Sequence, residues 1–159
     1  MKKKQLTIPV DVCTYDELTD IERTLIDLAK QATTTSYAPY SHFNVGAAIL
    51  LDNDELVVGS NQENAAYPSG TCAERTAMFY ANSRYPDSRP VIMAIASYSN
   101  GAFTPFSISP CGACRQVLIE AEHRFDCDIS ILLYGDEAIY RLRSAKDLMP
   151  LAFTQDALK

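Results

Sequence analysis

Two cysteine-bearing segments constrain this chain more than any other feature. Pro110-Cys111-Gly112-Ala113-Cys114 and Cys72-Ala73-Glu74-Arg75 each open a stretch of helical pattern, the first after Pro110 and the second after a turn containing Gly70. Two thiols three positions apart at a helix start face the same side, and a helix N-terminus favours thiolate, the form that binds metal. Alone, the Cys-x-x-Cys pair fits a redox couple or two buried thiols as well as it fits zinc. Cys72 joins the pair if the two helices follow adjacent parallel strands, because both N-termini then emerge at the carboxyl end of the sheet, where open α/β sheets place their ligands.

The rest of the pattern supplies such a sheet. Apolar residues Leu18, Ile21, Leu25, Leu28, Ala29 and Ala32 recur at helical spacing, with Thr14 and Glu17 placed as a capping box. Phe43–Leu51 and Leu56–Gly59 read as strands joined by the polar turn 52–55, an antiparallel hairpin. Cys72–Ala81 reads as helix, Val91–Ala96 as strand, Cys111–His123 as helix and Ile129–Tyr134 as a fourth strand. Gly135-Asp136-Glu137 turns the chain back into Ala138–Leu142, and a short helical tail begins near Ser144. The expectation is a three-layer α/β fold, a mixed sheet of about five strands flanked by helices, in one domain over residues 1–159 with a loosely ordered tip at 1–13.

Charge narrows the partners. Lys and Arg number 14 against 20 Asp and Glu, a formal charge of −6, which argues against a surface built for a phosphate backbone. No apolar run is long enough to span a membrane, and the basic start Lys2-Lys3-Lys4 is followed by too short an apolar stretch for a secretion signal. A cytoplasmic location is therefore expected. Five cysteines, Cys13, Cys72, Cys111, Cys114 and Cys127, make a secreted disulfide framework improbable. Cys13 and Cys127 lack metal-like spacing and read as inert buried thiols.

Three protein ligands leave one position for water, the arrangement of catalytic zinc, whereas a structural zinc is closed by a fourth side chain. His123 lies nine residues past Cys114 on the same helix, roughly 13 Å along the axis and out of reach. His42 stays open as a fourth ligand. Glu74, within the first helical turn, suits a general base beside the open position, although an acid here also complements the helix dipole. Three thiolates on one Zn²⁺ leave a net −1, and Arg75 is the nearest cation in sequence that can offset it by hydrogen-bonding ligand sulfur.

With these residues in view, the chain resembles the cytidine deaminases of the small homotetrameric, zinc-dependent type. The likeness rests on Tyr40 to Ala48, Asn61 to Tyr67, Cys72-Ala73-Glu74-Arg75 and Ser109 to Gln116, in an order and spacing more specific than the cysteine pair alone. The resemblance implies hydrolytic deamination of cytidine and 2′-deoxycytidine in pyrimidine salvage, with one Zn²⁺ per subunit held by Cys72, Cys111 and Cys114, and Glu74 carrying protons. It further implies that Asn61 and Glu63 hold the ribose hydroxyls, that Phe43 packs on the pyrimidine, and that backbone groups of Ala73 and Ser109 touch the base. Tyr67 and Phe153 match positions that act at the inter-subunit pocket, so a homotetramer with no nucleic-acid or membrane partner is expected. Two alternatives stand beside this: a related deaminase acting on a modified cytosine nucleoside such as blasticidin S, and a noncatalytic zinc-stabilised interaction module. The Ser83–Pro90 connection and a long 97–107 loop lie outside the compact family pattern.

Overall fold

The structure, a computed structural model, describes residues 1–158. Its strands are β1 (Asp11–Cys13), β2 (Asn44–Leu51), β3 (Leu56–Ser60), β4 (Pro90–Ser99), β5 (Ala102–Phe103), β6 (Ser130–Leu133) and β7 (Ile139–Leu142). Its helices are α1 (Asp20–Ala32), α2 (Ala73–Arg84) and α3 (Gly112–Phe125), with short 3-10 turns between and after them. The five strands read from the sequence are present, and β1 and β5 add to them. No described helix is long and apolar enough to cross a membrane.

The strands form one sheet in the order β1-β7-β6-β4-β2-β3, with β5 paired to β4. Among the described strands, β4 and β6 are the one adjacent parallel pair. The expectation that α2 and α3 follow adjacent parallel strands is therefore corrected. Helix α2 follows β3, and α3 follows β4 by way of its short hairpin partner β5; β3 and β4 run in the same direction but are separated by β2, antiparallel to both. Both helices still begin at one end of the sheet, because two successive reversals restore the direction.

Side-chain alternation along the central strands divides the core in two. Ala47, Ile49, Met93, Ile95, Ile131 and Leu133 face α2 and α3, while Ala48, Ala94, Ala96 and Leu132 face α1. With both faces covered, the central strands read as nearly unbroken apolar runs. Two glycines permit the close approach of the helices. A Cβ on Gly46 would stand 2.0 Å from the Ala29 carbonyl oxygen in α1, and one on Gly59 would stand 2.5 Å from the Ala77 amide nitrogen in α2.

Helix α1 begins later than the Thr14 box suggests. Thr14 and Glu17 do form a capping box, with the Thr14 amide donating to Glu17 Oε2 at 2.8 Å, but it closes only a 3-10 turn. A second box, Thr19 with Glu22, starts the α-helix itself. The 97–107 segment is not a long loop. β4 runs on to Ser99 and returns through Asn100 and Gly101, with φ of 54° and 83°, into β5, as a two-residue primed hairpin turn requires. Residues 11–13, grouped above with the loose tip, pair with β7, and the Asp11 carboxylate accepts from Arg141 at 3.1 Å.

Candidate metal centre and active site

Cys72 and Cys111 occupy equivalent places, the N-caps of α2 and α3. Neither sulfur caps its helix by accepting a backbone bond among the described residues, so both project beyond the helix starts. Cys114 lies in the first turn of α3 and is fully buried. The three sulfurs come together: Cys72 Sγ is 3.7 Å from Cys111 Sγ, and Cys111 Sγ is 3.4 Å from Cys114 Sγ. All three lie within 4.8 Å of one another, the only such group of three or more His, Cys, Asp or Glu ligand atoms among the described residues. His42 stands outside it, so the fourth-ligand alternative is not realised.

This spacing suits one tetrahedral zinc. Zinc–sulfur bonds of about 2.3 Å put the sulfurs of a tetrahedral site about 3.8 Å apart, close to the distances across this cluster. The donor set is also chemically apt, since thiolates select zinc over hard cations. Helix starts and Arg75 supply positive charge. The Arg75 guanidinium donates to Cys72 Sγ at 3.7 Å, and its Nε is buried without a partner among the described residues. The Cys72 thiol is brought down to about 5, first by a hydrogen bond from the Cys114 thiol and next by Arg75, against the opposing effect of burial. Cys114 is pushed upward by its bond to Cys72 and by burial, so Cys72 carries the negative charge of the pair.

Glu74, one residue inside α2, is 5% exposed. Burial pushes its carboxyl above the ordinary range and the charge on Cys72 adds to this, while hydrogen bonds with its own amide and with Cys114 pull the other way. A buried acid touching the sulfur cluster can exchange protons with whatever occupies the coordination position facing it.

A cleft of about 400 Å³ opens beside the cluster, lined by Tyr40, Asn61, Glu63, Tyr67, Cys72 and Arg75 among others. Glu63 Oε2 accepts from the amides of Tyr40 and Ser41 at 2.9 and 3.3 Å. A bond from the Ser41 hydroxyl, followed by the Tyr40 amide, holds its carboxyl below the usual value. The Asn61 side chain bridges backbone, accepting from the Val45 amide at 2.7 Å and donating to the Phe43 carbonyl at 2.9 Å. Both side chains therefore shape the cleft wall and keep some hydrogen-bonding capacity for a ligand.

The remaining residues singled out from sequence lie elsewhere around the centre. Phe43 is half-buried, and its carbonyl accepts from the Asn61 side chain. Ala73 is fully buried where α2 meets Gly59. Ser109 lines a different cleft, with Arg115, Leu148 and Ile8. Phe153 is exposed, and its carbonyl accepts from Gln116 at 3.0 Å. Cys13 is buried and Cys127 half-buried, both outside the sulfur cluster. Sequence reasoning gave no role to Arg115 and Gln116, the two residues after Cys114, although each reaches the C-terminal segment. Their position beside a ligand was the available signal.

The profile of the family described as Cytidine and deoxycytidylate deaminase zinc-binding region matches residues 19–125. A protein named cytidine deaminase from Sporosarcina psychrophila is 40% identical over 144 residues, covering 87% of this chain and 95% of that protein. Another so named, from Halalkalibacterium halodurans, is 39% identical over 132 residues, covering 83% of this chain and 93% of that one. Among solved structures, the cytidine deaminase of Burkholderia pseudomallei superposes with a TM-score of 0.70 at 38% identity, covering 86% of this chain and all of that one.

Proposed function

Because the chain belongs to the cytidine and deoxycytidylate deaminase family, we infer that it hydrolyses cytidine and 2′-deoxycytidine to uridine and 2′-deoxyuridine, releasing ammonia in pyrimidine salvage. The observation that carries this reading is the convergence of three sulfurs from two helix starts beside a buried carboxylate. The cofactor is Zn²⁺, one per subunit, and Cys72, Cys111 and Cys114 would hold it. When bound, zinc supplies the Lewis acidity that makes water nucleophilic at neutral pH.

The chain's own residues then handle protons and position. Glu74 takes a proton from the attacking water and delivers it to ring N3 as oxygen adds to C4. It relays the second water proton to the amino group as the C4–N bond breaks, so the products are uridine and ammonia. Arg75, donating to Cys72 Sγ, offsets the excess negative charge of three thiolates. Glu63 and Asn61, on the cleft wall, hold the ribose hydroxyls, Phe43 packs on the pyrimidine ring, and backbone groups of Ala73 and Ser109 meet the base edge.

We further propose a cytoplasmic homotetramer, each subunit one domain, in which Phe153 completes a neighbour's pocket and Tyr67 lies at the subunit boundary. Tyr67 is 91% and Phe153 61% exposed in the isolated chain, and Phe79 and Tyr80 add further uncovered aromatic surface on α2; surface of this kind marks contacts between proteins. The acidic net charge supports a nucleoside over a long nucleic acid. The deciding experiment is ammonia release from cytidine with metal content per chain and mass in solution. Zinc-replete protein that leaves cytidine untouched would refute the activity, and a monomer would refute the assembly.

A further inference from the structure

We propose that Arg115 is a positioning residue that fastens the ligand-bearing start of α3 to the C-terminal segment, so that the metal centre and the stretch carrying Phe153 are held as one unit. Arg115 follows Cys114 directly. Its Nε donates to the Pro110 carbonyl at 2.8 Å and its Nη1 to the Leu148 carbonyl at 2.5 Å. Neither of these bonds ends on a carboxylate, so this guanidinium links two backbone segments.

The Pro110 carbonyl matters because it shares a rigid peptide plane with the Cys111 nitrogen. Fixing that oxygen fixes the plane from which Cys111 projects its sulfur. Cys111 is itself exposed, and Pro110 has no N–H with which to anchor the turn. The second carbonyl belongs to the last residue of the 3-10 turn Ala145–Leu148, five positions before Phe153.

The same helix grips the tail at two other points. Seven residues on, and hence on the same face, the buried Glu122 carboxylate accepts from the Ser144 hydroxyl at 2.9 Å and the Ala145 amide at 2.7 Å. Gln116 Nε2 donates to the Phe153 carbonyl at 3.0 Å. Of these three side chains, Arg115 alone among the described residues bonds both the tail and the ligand loop. A planar fork suits two carbonyls at once in a way that a lysine ammonium does not.

The test follows zinc loss from holoenzyme into excess chromogenic chelator, with kcat and KM for cytidine and thermal melting in parallel. Arg115→Met should release zinc roughly ten- to a hundredfold faster, the range for groups that orient metal ligands, with kcat lowered and KM raised. Arg115→Lys keeps the charge without the fork and should not restore the wild-type release rate; it also carries the test if the methionine variant does not fold. Gln116→Met, which loosens only the tail, should raise KM and leave zinc release unchanged. Wild-type zinc release in both Arg115 variants, with melting alone affected, would overturn the proposal, and so would equally fast release from Gln116→Met. The kinetic arm rests on the deaminase reading, whereas the release arm does not. A wild-type enzyme inactive on cytidine would sink that reading and leave the tie to be decided by the release rates.

Discussion

A Cβ built on Gly59 would stand 2.8 Å from the carbonyl oxygen of Ala73, the residue between Cys72 and Glu74. The first turn of α2 therefore rests directly on the backbone of β3, and the height of the sulfur ligand and the acid above the sheet is set by a missing side chain. Gly59→Ala should cost roughly 1–3 kcal/mol by overpacking and lower turnover, because backbone atoms on both sides must move apart. Chemical denaturation and steady-state kinetics measure the two effects. A variant with wild-type stability would contradict the close contact.

Glu74→Gln preserves size and burial but removes proton transfer. It should retain one zinc per chain and lose turnover by about 10²–10⁴-fold or more. Metal analysis alongside ammonia release separates the two, and an active glutamine variant would dismiss Glu74 as proton carrier.

Stripping the metal should expose unequal thiols. With Cys72 brought down to about 5 and Cys114 pushed upward, iodoacetamide at neutral pH should label Cys72 well before Cys114, and zinc should protect both. Peptide mass spectrometry reads the order, and Cys114 reacting first would reverse the charge assignment. Arg75→Gln should slow labelling of Cys72 in stripped protein and speed zinc loss from loaded protein by about tenfold or more.

Acid should find a weak point far from the cleft. Burial raises the Glu22 carboxyl, but hydrogen bonds from Thr19 and then Arg141 outweigh it and leave the group below its ordinary value of 4.5. A depressed acid contributes its stability in full above the unfolded value and loses it as pH falls through the folded one. Glu22→Gln should therefore cost roughly 1–2 kcal/mol at neutral pH, with the gap to wild type closing only as pH falls below the ordinary value of 4.5 and through the depressed folded one. Urea midpoints across pH test this; a constant gap would remove Glu22 from the acid response.

How much of this was legible beforehand depended on the range of the interaction. Cys111 and Cys114 are neighbours on one turn of α3, so spacing alone pairs them, and the chain direction of two helix starts brings Cys72 within reach. Thr14-x-x-Glu17 and Thr19-x-x-Glu22 are equally good capping boxes by sequence, and both form; packing decides which one opens the long helix. Asn100-Gly101 carried a strong hairpin signal, obscured by the weak strand character of the residues after it. The placement of β2 between β3 and β4 is a choice among distant pairings, which local pattern does not encode. The Arg115 tie was illegible for a different reason: its acceptors are backbone carbonyls, which nearly every residue possesses.

The insertion of β2 between β3 and β4 also ties the metal centre to the middle of the sheet. The thiol ahead of α2 and the pair at the start of α3 hang from strands that are not paired with each other, so this three-sulfur arrangement exists only where β2 has joined both. Any change that opens the central strands therefore takes the ligand set apart as well.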